Sequence, residues 1–467
     1  MDLHFEDSTF NSLHRFEKML KTDSIFFFDS LEFEEIIAYY IDHGKIFLAK
    51  KALDLAVSQY PKSVDINVLR CEVLIAENKL NEAEMLLDDL FIMDPDNEEI
   101  YIQKARLLSK QNDHEMAIDY LLVALDMIDS EYHIDIFFML GSEYLLLEQH
   151  SVARNYFEKC LVLDPTDTQL IHNIIYCFDM DKAHVEAIAF LEAFIDSHPY
   201  HEIAWHQLGK EHFKLGRYFE ALDAFDYAIL IDEKFTGAYV EKAKTLEKLQ
   251  QFSQAVQCYK IAATMEDPMS FAYLRMGYCY AKLSDVAQSL ESYQKALNLD
   301  PNREEPLIAI IELLTKQQRY HEIIPYAQQL MSIDDTNVKY IKLYGDVNMK
   351  NAFFDKAVDC YKKCIIMGDN KLDVFLRLAD ALYYIGDYQK AIDVLHDAEL
   401  LFSQHYKIAI RLSGLYFLKE DFEQGLRFFK YFHHLKPNSV RLFRRLFPAV
   451  LNKKDIRSLL SNHQLIE

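Results

Sequence analysis

A small residue returns every thirty-four positions along much of this chain. Gly209, Ala243 and Gly277 hold one slot, and Gly141 falls on the same row. A second slot holds Ala49, Ala83 and Ala117, then Ala153, Ala187, Ala221 and Ala255, and again Ala357 and Ala391. A two-residue slip near Ser130 and Glu131 separates the first three of these alanines from the next four. A period this long and this sustained marks a solenoid, in which each unit packs only on its neighbours. It constrains the architecture strongly and leaves the chemistry almost open.

The clearest unit runs from Ala204 to Asp232. Trp205, Leu208 and His212 lie three or four apart, the spacing of one helical face, with Phe213 next to it. Gly216 interrupts, and Phe219, Leu222, Phe225 and Ile229 begin a second amphipathic stretch. Two helices of about four turns joined by a tight turn account for the unit. Gly209 and Ala221 fit positions where the helices cross closely, because a larger residue there would overpack the pair. The repeat-packing set is therefore Gly141, Trp205, Gly209, Ala221, Ala243, Ala255, Gly277, Ala357 and Ala391.

These residues resemble the tetratricopeptide repeat family. Its pattern of Trp, Leu, Gly and Tyr followed by Ala, Phe, Ala and Pro is met by Trp205, Leu208, Gly209, Ala221, Phe225 and Ala228. His212 stands where Tyr is usual and Glu233 where Pro is usual. Tyr239, Ala243, Ala255, Tyr259 and Ala262 match in the next unit, and Tyr273, Gly277, Tyr280, Tyr293, Ala296 and Pro301 in the one after. The resemblance implies an all-α fold: an α-solenoid, a right-handed superhelix of about twelve 34-residue helix-turn-helix repeats with terminal capping helices. Units then open at Ser30, Val64, Glu98, Ile134, Thr168, Glu202, Thr236, Ser270, Glu304, Val338, Leu372 and Tyr406. Pro61, Pro95, Pro165, Pro199, Pro301 and Pro437 fall at the closing slot, where proline stops the second helix. The unit opening at Glu304 departs most, with Ile311, Ile323 and Leu330 in its small slots and Pro325 inside its second helix. Wider or bent packing is expected there.

The expected organisation is a capping segment over 1–29, repeats over 30–439 and a basic capping segment over 440–467. Glycine is scarce, at 11 residues, and no Gly/Ser-rich or Pro-rich linker divides the chain, so one continuous rod is expected. Phe10 to Phe28, with Phe16, Met19, Leu20 and Ile25 among them, are placed to cover the first unit. Leu442, Phe443, Leu446, Phe447, Val450 and Leu451 form the closing apolar face, which Pro448 is expected to break or kink. The acidic start lacks the basic-then-apolar order of a signal peptide, and no apolar run approaches the roughly 18 residues of a membrane span. The seven cysteines suit a reducing compartment as buried thiols, which makes the cytoplasm the expected location.

Net charge is −24, unevenly placed: Tyr406 to Glu467 carries +7, leaving −31 on the rest. Such a body repels nucleic acid, whose binding relies on cations meeting phosphates. No phosphate-cradling glycine loop, His-Glu-x-x-His motif or glycine-flanked serine nucleophile is present, so neither catalysis nor a cofactor is expected.

The resemblance also implies that the first helix of each unit lines an inner, concave surface. Lys342 and Asp346, then Arg377, then Lys407 and Arg411 occupy slots similar to the carboxylate clamp by which some family members hold the acidic C-terminus of heat-shock chaperones. Asp346 and Arg377 replace both of that pattern's asparagines. An anionic-peptide site is chemically reasonable, since Arg offers bidentate hydrogen bonds to carboxylates. A ladder of internal ion pairs is the alternative for the same residues. Lys214, Lys248, Lys282, Lys316 and Lys350 share a slot in the last turn of five first helices, where the helix dipole favours cations. His172 and His206 share another, with Tyr176 and Lys210 nearby. Two histidines without a third ligand do not make a metal site, and polar contact with a bound peptide is expected of them. The chain reads as a protein or peptide-binding scaffold, its partner carrying an acidic segment. The alternative is a self-associating rod, in which an acidic N-terminal groove (Glu34, Glu35, Asp65, Glu72, Glu99) meets the basic end of another copy.

Overall fold

A computed structural model describes residues 2–22, 26–128, 133–265, 269–463 and 465, with side chains from residue 12 onward. Ser130 and Glu131, the site of the expected slip, lie outside these residues, as do Ile25 and the side chain of Phe10. Among the described residues every regular element is a helix. First helices start at Ser30, Val64, Glu98, His133, Thr168, Glu202, Thr236, Ser270, Glu304, Val338, Leu372 and Tyr406. Each is followed by a second helix; Glu202–Lys214 and Tyr218–Ile231 form one such pair. Second helices ending at Gln59, Met93, Leu163, Ser197, Leu299 and Leu435 stop two residues before a proline.

By contacts the chain divides into two compact units, Met1–Ala238 and Tyr239–Glu467. Each is built from small apolar cores that follow one another along the sequence. In the first unit they span 13–73, 68–107, 102–140 and 153–224. In the second they span 293–347 and 341–460. Serial small cores of this kind are what neighbour-only packing produces.

Within a pair, the glycine slot faces an aromatic ring on the second helix. A Cβ added to Gly141 would lie 2.7 Å from Phe157, one on Gly209 2.5 Å from Phe225, and one on Gly277 2.5 Å from Tyr293. Ala221, Ala243, Ala255, Ala357 and Ala391 are fully buried. Trp205 stacks on Tyr227 at 4.4 Å and donates its indole N–H to the Pro199 carbonyl at 2.9 Å. Ile311, Ile323 and Leu330 are buried too, and helix Tyr320–Ile333 runs unbroken through Pro325.

The turn inside each pair shows a regularity that residue types conceal. Fourteen positions after the expected unit openings, the backbone is left-handed: Asn78, Asn112, Glu148, Lys182, Gln250, Ser284, Gln318, Ala352 and Glu420 take φ between 56° and 65°, and Gly44, Gly216 and Gly386 between 66° and 90°.

At the start, Phe16 and Phe28 are buried against each other and near Tyr40, whereas Phe27 is 71% exposed. At the end, Pro448 opens a helix of its own after Val440–Leu446, and a further helix spans Lys454–Asn462. Phe447 sits between these helices and packs over Gly414, where a Cβ would lie 2.4 Å from its ring.

Candidate functional site

The clamp-like residues stand on successive first helices of the second unit: Lys342 and Asp346 on Val338–Lys350, Arg377 on Leu372–Ile385, and Lys407 and Arg411 on Tyr406–Leu418. Three of the four cations meet carboxylates of the neighbouring pair. Lys342 pairs with Asp373, and Arg377 with Asp346. Arg411 donates from Nε and Nη2 to the two Asp380 oxygens, both at 2.7 Å, and from Nη1 to the Lys407 carbonyl at 3.3 Å. Lys407 is exposed and forms no ion pair among the described residues.

Tyr361 completes the Asp346 cluster, its hydroxyl donating to Oδ1 at 2.7 Å. Burial, then the Asp346 charge, push this phenol well above its usual range. A parallel cluster joins Tyr259, Glu247 and Arg275. Burial alone would raise Asp373, but the Lys342 bond and charge outweigh it and hold the carboxyl below its ordinary value.

Beside these pairs lies a pocket of about 420 Å³. Ile323, Leu343, Val347 and Met349 are its apolar lining, and Asp346, Arg377, Asp380, Thr315 and Lys350 line it too. Its walls come from three successive helix pairs, so no single repeat motif announces it.

His172 and His206 do not act alike. His172 Nδ1 lies 2.7 Å from Nε2 of the buried Gln207. His206 packs on Phe225 and Phe235, at 5.9 and 4.8 Å between ring centroids. Burial, then Lys210, lower the His172 pKa. Of the lysine row, Lys282 and Lys350 lie over the Tyr278 and Tyr320 rings at 5.2 and 5.6 Å. Lys214 instead bonds Asp179 at 2.6 Å and the buried Glu211 at 2.7 Å. The seven cysteines are buried and form no disulfide; burial pushes Cys71, Cys160 and Cys279 up to about 12.

Family models described as tetratricopeptide repeat match residues 98–129, 134–167, 203–235, 270–303 and 373–399. The chain is a tetratricopeptide-repeat protein. That architecture supports protein interaction in general and is typically non-catalytic. No curated protein matches this tetratricopeptide-repeat chain in sequence. Similar solved structures include a chain of the APC/C hetero-tetramer Cut9-Hcn1, at 13% identity and TM-score 0.32, over 89% of this chain and 94% of that one. A chain of Naa15/Naa10 bound to HypK-THB matches at 14% and 0.36, over 86% of this chain and 68% of that one. The MamA protein matches at 14% and 0.33, over 37% of this chain and 94% of that one. Among the described residues no helix is long and apolar enough to cross a membrane.

Proposed function

We propose that this protein is a non-catalytic scaffold that holds an extended segment of a partner protein along the first helices of its second unit. The pocket bounded by Ile323, Leu343, Val347 and Met349 is the observation that supports this reading. It offers an apolar recess for one side chain of the segment, with Lys350 beside it and the exposed Lys407 further on to attract acidic residues. Many small contacts supply affinity in such a groove, while charge sets register and encounter.

The internal pairing of Lys342, Arg377 and Arg411 changes what a ligand carboxylate would meet. It would have to displace Asp373, Asp346 or Asp380, so these cations contribute less to binding than an unpaired clamp would. Affinity capture of partners, followed by mapping of the bound segment, tests the reading. Thr315→Arg should fill the pocket from its exposed edge and reduce capture at least about tenfold, a loss of about 1.4 kcal/mol. Lys248→Glu, away from the pocket lining, should leave capture unchanged. Equal capture by both variants would remove the pocket from the mechanism.

Self-association is a second reading, favoured by two pockets of opposite charge. One is lined by Glu34, Glu35, Asp65 and Glu99 with Val68 and Leu69, the other by Lys436, Arg441 and Arg445. Burial raises the pKa of both Glu34 and Glu99. Light scattering should then report oligomers that dissociate as salt is raised from low to physiological strength and beyond.

A further inference from the structure

Histidine opens the second helix in three successive pairs: His114, His150 and His184. Each presents Nδ1 to a carboxylate of the following helix or turn. His114 lies 2.8 Å from Glu143, His150 3.2 Å from Asp181, and His184 2.9 Å from Glu211. The third differs from the other two, because Asp179 Oδ1 also approaches His184 Nδ1 at 3.5 Å. Asp179, His184 and Glu211 bring one nitrogen and two carboxylate donors within 4.8 Å of one another.

We propose that Asp179, His184 and Glu211 form a binding site for a divalent transition ion of the zinc class, and that Lys214 is the cation such an ion would displace. Metal–ligand bonds of about 2.1 Å at tetrahedral angles place donors about 3.4 Å apart. The separations of 2.9 and 3.5 Å around His184 Nδ1 therefore need only small side-chain shifts. Imidazole with carboxylates suits a borderline ion, with water in the fourth position. Glu211 is fully buried on a helix, where a charged carboxylate costs free energy unless a cation pairs with it. Lys214 supplies one, reaching both Asp179 and Glu211 from the edge of the site. Its side chain is 31% exposed, so the ammonium can move into solvent when a doubly charged ion replaces it. The site lies within the first unit and is independent of the pocket in the second.

Zinc titration of the full-length chain by calorimetry, after chelator treatment, tests the assignment. One equivalent should bind saturably. His184→Gln should weaken that binding at least about tenfold, the smallest loss usual even for residues behind the ligands. Lys214→Met, which removes the competing ammonium, should tighten it by about tenfold, or 1.4 kcal/mol. His114→Gln and His150→Gln, which disturb the same slot without a second carboxylate, should leave it unchanged. Asp179→Asn provides a ligand loss at a half-exposed position if the His184 variant folds poorly by circular dichroism. The proposal is overturned if no one-equivalent binding occurs, if both ligand-loss variants bind zinc as the parent does, or if Lys214→Met binds no more tightly.

Discussion

Phe225 leaves no room for a side chain at Gly209, since a Cβ would lie 2.5 Å from a ring that is itself fully buried. Gly209→Leu and Ala221→Leu should each destabilise the protein by roughly 1–3 kcal/mol through overpacking. Ile323→Leu, in a slot already filled by a large residue, should cost less than about 1.5 kcal/mol. Urea denaturation separates these, and equal losses at all three would contradict the crossing geometry. The left-handed turn residues make an opposite prediction. Lys182 has φ 56° and is exposed, and that conformation costs a non-glycine residue roughly 1–2 kcal/mol. Lys182→Gly should therefore stabilise by up to about 1 kcal/mol, whereas Gly216→Ala, at φ 75°, should lose a similar amount. Burial lowers the pKa of His172, His201 and His212, aided by Lys210 at His172 and by Arg217 at His212. As pH falls through about 6.5 the unfolded chain takes up protons that these folded imidazoles refuse. Stability should thus decline from pH 7.5 toward about 5.5, and His212→Tyr should flatten that decline.

Between helices, carboxylates join the first helices that open at Val338, Leu372 and Tyr406. Asp346 and Arg377, and Asp380 and Arg411, are 31 residues apart in sequence, so each bond crosses from one pair to its neighbour. Arg411 is the more enclosed arginine, its side chain 11% exposed against 43% for Arg377. Removing it strands the Asp380 carboxylate, so Arg411→Ala should cost about 2 kcal/mol of stability. Its effect on partner binding should be smaller than that of Thr315→Arg. At the chain's end the same logic concerns shape: Phe447 fills the space over Gly414 and is 2% exposed. Phe447→Ala should cost roughly 3 kcal/mol or more and loosen the last helix pair first.

At the scale of the molecule, cores that follow one another along the chain imply that damage stays near its origin. In a solenoid, stability is approximately a sum of unit and nearest-neighbour terms. Hydrogen exchange of Gly209→Leu should show lost protection in Thr168–Met180, Glu202–Lys214 and the helices paired with them. Helices from Leu372 to Leu435 should exchange as in the parent. A uniform loss across the chain would mean one cooperative core.

The period of small residues was enough to mark a solenoid, and with the aromatic and proline positions around it gave the family resemblance, the all-helical class and the starts of the first helices, which the structure places within one residue of the expected openings. Those features repeat along the chain, so a one-dimensional pattern carries them. The left-handed turn position was poorly legible, because only Gly44, Gly216 and Gly386, with Asn78 and Asn112, mark it by residue type, and the other positions accept the strain. A ladder of internal ion pairs could be offered for the clamp-like cations, but that Lys342 meets Asp373, Arg377 meets Asp346 and Arg411 meets Asp380 depends on side chains meeting across neighbouring helices. The pocket beside Arg377 and the convergence on His184 likewise draw residues from successive pairs. Periodicity fixes where each helix runs; packing between side chains of unlike size and charge decides what the surfaces between them hold.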